Sequence, residues 1–107
     1  MHEHREWPRY SAVRTFALTA HLGERIYPCV VADVSLGGAR LLFDRDVPLD
    51  GIQDSGISLS HPEAETVVCL PMWREAGQVG VQFDFSEESL GLISVCIRKM
   101  VHLDQAP

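Results

Sequence analysis

Apolar and polar residues alternate with a period of two along most of the chain, the signature of half-buried strands. In RTFALTAHL, Phe16, Leu18, Ala20 and Leu22 share one face and Thr15, Ala17, Thr19 and His21 the other. Gly23-Glu24 predicts a short turn, after which IYPCVVADV returns as a second strand, with Pro28 marking an edge or a bulge. SLGG interrupts the pattern before ARLLF, where Ala39, Leu41 and Phe43 share a face. The acidic stretch from Asp44 to Gly56, with its Pro and Gly, predicts a loop, and GISLS a short strand. ETVVCLPMWRE and QVGVQFDF are separated by Ala76-Gly77, which predicts a hairpin with Val79, Val81, Phe83 and Phe85 on one side. The period then changes to that of a helix. Asp84 or Ser86 serves as the cap, Glu87 and Glu88 occupy the first turn, and Leu90, Ile93, Ile97, Met100 and Val101 form one stripe. Turn spacings of this kind suit antiparallel neighbours in a small barrel of about six strands. The expected organisation is a single domain over residues 1–107: an arm at 1–13, a barrel at 14–85 and a C-terminal helix at 86–103.

Composition narrows the function. The 107 residues, 46% hydrophobic, suffice for one modest core. A formal net charge of −6 with only nine scattered basic residues excludes the broad basic face that nucleic acid polymers require. No amphipathic basic helix or long apolar run is present, so no membrane insertion is expected. MHEHREWPRY carries no apolar h-region, and a cytoplasmic location is expected. Cys29, Cys69 and Cys96 are widely spaced in apolar surroundings and read as reduced, packed thiols. His2-x-His4 lacks a zinc-like partner spacing, so no metal is expected.

Two short motifs carry chemistry. Arg5 and Arg9 flank Glu6-Trp7-Pro8, and with Arg14 they are the one local cluster of arginines. Pro8 disfavours helix at Trp7, leaving the guanidiniums on an extended or turned arm, where planar forks can grip phosphate bidentately or stack on purines. A solvated tail is the plain alternative. The second motif is Asp33-Val34-Ser35-Leu36-Gly37-Gly38. Asp33 can accept from the N1–H and N2–H of guanine, which adenine cannot offer, and Ser35 brings a hydroxyl for a base edge or phosphate. Gly37 and Gly38 permit positive φ and close backbone approach. The competing reading is that Asp33 and Ser35 simply cap a tight turn.

In tandem, Arg5-x-x-x-Arg9, Asp33-x-Ser35-x-x-Gly38 and the stretch from Met72 to Ser89 resemble the PilZ domain family, over nearly the whole chain from Arg5 to about Met100. The resemblance implies an all-β, six-stranded antiparallel split barrel with a C-terminal α-helix that binds cyclic di-GMP. Arg5 and Arg9 would hold phosphates and guanine, while Asp33, Ser35 and Gly38 would read the base. Trp73 is similar to an aromatic that stacks near the ligand in some members, though it could equally be an ordinary barrel aromatic; Trp7 could pack the arm on the barrel. His4 stands where many members have a further arginine, which favours one ligand per protomer over an intercalated ligand pair. The resemblance further implies a bacterial, non-enzymatic receptor with no cofactor besides its ligand, monomeric or weakly dimeric. It would act through an unidentified downstream protein, typically in motility or biofilm regulation. A PilZ-like adaptor that does not bind nucleotide is the alternative. A hydrolase built on Ser35 lacks a nucleophile elbow and a credible base.

Overall fold

The computed structural model describes residues 10–11, 16–52 and 56–100. The elements given among the described residues are seven strands and a C-terminal helix: β1 (Tyr10–Ser11), β2 (Ala17–Leu22), β3 (Arg25–Val34), β4 (Gly38–Leu42), β5 (Ile57–His61), β6 (Ala64–Glu75), β7 (Gln78–Gln82) and α1 (Glu87–Met100). All pairings are antiparallel. The order β1-β3-β2-β5-β6-β7-β4 closes because β4 pairs back onto β3, so β2 to β7 form a six-stranded barrel. The two-residue β1 lies outside that ring, against the end of β3. The expected all-β barrel with a terminal helix is therefore the fold observed.

Alternation builds the interior as the sequence predicts. Leu18, Ala20, Val31, Leu41, Leu59, Val67, Val79 and Val81 all point inward and are almost completely buried. Closure of so few strands leaves room for side chains only. Pro28 faces Thr19 of β2, in a part of β3 that has no second neighbour among the described residues, as expected for a strand edge. The Ala76-Gly77 hairpin is a two-residue loop with positive φ at both positions, 47° and 81°, the conformation that matches strand twist.

Three expectations are corrected. Phe85 does not continue the inward row of β7; strand pairing stops at Gln82, and Phe85 takes φ 63° and is half exposed as the chain turns toward α1. The buried face of α1 is Ser89, Leu92, Ile93, Val95, Cys96 and Met100 rather than a stripe led by Leu90, which is 43% exposed. The cap explains the rotation: Ser86 Oγ accepts from the Ser89 N–H at 3.1 Å, and Ser89 Oγ donates to Asp84 Oδ1 at 2.8 Å, drawing Ser89 inward. Ile97 is only partly buried, and Val101 lies outside the described residues. Gly37 and Gly38 do not adopt positive φ.

α1 packs chiefly on β6 and also touches β3 and β1. Its C-terminal end is tied to the β5–β6 turn, where Lys99 Nζ lies 3.0 Å from Glu63 Oε2. Hydrogen bonding to Lys99 holds the Glu63 carboxyl below the ordinary glutamate range. Cys29, Cys69 and Cys96, from β3, β6 and α1, are buried and unbridged. Desolvation pushes each thiol up to about 12.

Candidate functional site

The bend between β3 and β4 is built by its own side chains. The Ser35 N–H donates to the Gly38 carbonyl at 2.8 Å, and the Gly37 N–H donates to Ser35 Oγ at 3.2 Å. Ser35 is buried and spends its hydroxyl largely on the turn, as the turn-capping reading anticipated. Gly38 is required by its neighbour: a Cβ there would overlap the backbone carbonyl oxygen of Val81 on β7. The Phe83 N–H donates to the Gly37 carbonyl at 3.0 Å, so the bend is held against β7 as well.

Asp33 owes its position to an irregularity. Val31 pairs with Leu41 and Asp33 with Arg40, so Ala32 is an extra residue on β3. Without that bulge Asp33 would follow Val31 onto the inward face and Val34 would turn outward; with it, Val31 and Val34 both face the core and Asp33 is turned onto the outer face. There Arg40, outward between the buried Ala39 and Leu41, donates through Nε to Asp33 Oδ2 at 2.9 Å. Its Nη1 donates to Gln78 Oε1 of β7 at 3.1 Å. Arg40 covers Asp33, whose side chain is 9% exposed, while the arginine itself remains 41% exposed.

A second bulge acts the same way on β6. Pro71 pairs with Val81 and Trp73 with Gly80, making Met72 the extra residue. Trp73 is thereby turned outward, 41% exposed, with its indole lying over Gly80. A Cβ at Gly80 would overlap the ring. Since Gly80 in turn pairs with Arg40, the outer face carries one cross-strand row: Trp73 on β6, Gly80 on β7, Arg40 on β4 and Asp33 on β3. The row presents an aromatic plane, a guanidinium fork and a carboxylate in that order.

The structure thus brings Trp73, Asp33, Ser35 and Gly38 to one region of the barrel. Arg5, Arg9, Arg14, His4 and Trp7 lie outside the described residues. The residue after Arg9 does not: Tyr10 pairs with Val34 and Ser11 with Asp33. Sequence reasoning passed over Arg40 and Gln78. An arginine flanked by two inward apolar residues in ARLLF is the signal that could have singled out Arg40. Among the described residues no group of His, Cys, Asp or Glu is arranged to hold a metal. A cavity of about 230 Å³ lies elsewhere, lined by Leu22, Arg25, Tyr27, Pro48 and Asp50 among others, and shares no residue with the row.

A filled barrel with a row of polar groups on its outer face, beside an incoming N-terminal strand, defines a small closed β-barrel module. The chain belongs to the PilZ domain family, whose model matches residues 3–98. Membership implies a cyclic di-GMP-binding effector module. Among curated proteins, none matches the chain significantly. No described helix is long and apolar enough to cross a membrane.

Proposed function

We propose that the protein is a non-catalytic receptor that binds cyclic di-GMP on the outer face of the barrel and passes the event to a protein partner. The observation that carries this reading is the pairing of β1 with β3, because it anchors Tyr10, the residue joined to Arg9, against the strand end that holds Asp33 and Ser35. Arg5 and Arg9 clamp the ligand phosphates and stack on guanine, with His4 beside them. Asp33 reads the guanine Watson–Crick edge, Ser35 and Gly38 hold the bend that presents it, and Trp73 supplies a stacking plane. Closure over the ligand of the part of the 1–13 arm that precedes Tyr10 is the conformational change that a partner senses. Val68 and Leu70 are 72% and 57% exposed on the outer side of β6, next to Trp73, which supports a protein partner on that side. The protein acts in the cytoplasm as a monomer or weak dimer, with no cofactor besides the ligand.

Titration calorimetry with cyclic di-GMP tests the proposal. Each arginine–phosphate contact is worth about 1.5–3 kcal/mol, so Arg9→Ala should weaken binding roughly 10- to 100-fold without changing the melting temperature. Absence of heat from the wild-type protein at ligand concentrations of tens of micromolar would instead favour the adaptor that has no nucleotide.

A further inference from the structure

We infer that Arg40 is a ligand-reading residue, one that donates to the O6 and N7 edge of a guanine and so sets selectivity for guanine over adenine. This rests on the cyclic di-GMP reading above and names a contact the sequence motifs do not contain. The fork is pre-positioned: Nε is fixed on Asp33 at 2.9 Å and Nη1 on Gln78 at 3.1 Å, so its plane is set before any ligand arrives. An arginine carries five N–H donors, and these two bonds use two of them among the described residues. The side chain is 41% exposed, so a ligand on the outer face can reach it. A guanidinium fork on O6 and N7 is the commonest specific contact to guanine.

The neighbours fit the same base. Around guanine, O6 lies between N7 and N1, so a fork at O6/N7 and a carboxylate at N1–H/N2–H occupy adjoining parts of one perimeter. Arg40 and Asp33 stand side by side in that order, directly opposed across β4 and β3. Trp73 lies on the other side, across the bare backbone of Gly80. The row from β6 to β3 spans three strand spacings, about 14 Å, enough for a base and its sugar-phosphate. Adenine fails at both contacts. Its N6 amino group would meet the arginine donors, and its N1 lone pair would meet the carboxylate.

The test is a cycle between protein and ligand, using wild type and Arg40→Ala with cyclic di-GMP, its 7-deaza analogue (CH in place of N7) and cyclic di-AMP. Wild type should bind the 7-deaza compound about 10-fold more weakly than cyclic di-GMP, and cyclic di-AMP more weakly still. Arg40→Ala should lose roughly 10- to 100-fold for cyclic di-GMP and no longer distinguish it from the 7-deaza compound. If the variant weakens both ligands by one common factor, Arg40 only positions Asp33 and the inference is overturned. Should the variant not fold, equal wild-type affinity for cyclic di-GMP and the 7-deaza compound overturns it alone. A wild-type protein that binds none of the three removes the underlying reading, and this inference with it.

Discussion

Gly38 sits where the ligand motif and the barrel seam coincide, and replacing it with alanine separates the two roles. The new Cβ would overlap the Val81 carbonyl oxygen, with the Val81 carbonyl carbon at 3.3 Å and Gln82 Cα at 3.5 Å. All three are backbone atoms, so no side chain can swing aside. Relief requires β4 to move from β7, weakening the Phe83-to-Gly37 bond and the Ser35-to-Gly38 bond of the bend. Two hydrogen bonds at about 1 kcal/mol each, plus overpacking strain of at least about 1 kcal/mol, give roughly 3 kcal/mol. For a domain of this size that is a fall in Tm of about 10–15 °C by calorimetry or circular dichroism. Gly80→Ala is the control. There the obstacle is the Trp73 indole, which can rotate away, so stability should change by under about 1 kcal/mol while tryptophan fluorescence shifts in a Trp7→Phe background. A Gly38→Ala melt within about 2 °C of wild type would refute the steric argument and assign that glycine to the ligand alone.

Other outcomes follow from the cap and the thiols. Ser86→Ala removes the acceptor of the Ser89 N–H and should cost about 1 kcal/mol in denaturant unfolding. Hydrogen bonds from Ser86 and Ser89 hold the Asp84 carboxyl at about 2, below its ordinary 3.8. Its contribution is therefore complete above pH 3.8 and lost as pH falls toward 2, a loss that Asp84→Asn should abolish in acid titrations followed by circular dichroism. Cys29, Cys69 and Cys96 are raised from 9.0 to about 12 by burial, so the folded state favours the protonated thiols. Stability from that source is present below pH 9 and declines between 9 and 12. Correspondingly, a thiol reagent at pH 8 should label none of the three until denaturant is added; rapid labelling of the native protein would contradict their burial.

Strands and turns were legible because they depend on neighbours in sequence. The inward rows of β2, β4 and β7 and the Ala76-Gly77 loop follow from alternation and turn chemistry alone. The bulges were not legible in that way. Strict alternation from Val31 places Asp33 inside, and only the burial of both Val31 and Val34 reveals that Ala32 is an extra residue. Likewise Trp73 could be recognised as an aromatic of interest, but its seat on Gly80 depends on pairing with another strand. The helix stripe was misplaced for a related reason. Ser89 is polar and gives no apolar signal, yet its bonds to Asp84 and Ser86 decide which face turns inward.

The position of the site follows from closure of the barrel. Six strands enclose only side chains, and Val31, Leu41, Leu59 and Val79 are fully buried in that space, so a dinucleotide has no place inside. The outer face is what remains, and there a regular strand offers every second residue. Extra residues at Ala32 and Met72 change that rule at two places, each turning outward a group that unbroken alternation would aim at the core. Both changes feed one cross-strand row, joined through Arg40 and the side-chain-free Gly80. An inward Asp33 would lie among valines and leucines, whereas the bulge sets the buried carboxylate beside the Arg40 guanidinium. The candidate row and the pairing of its buried carboxylate thus depend on the same irregularity in β3.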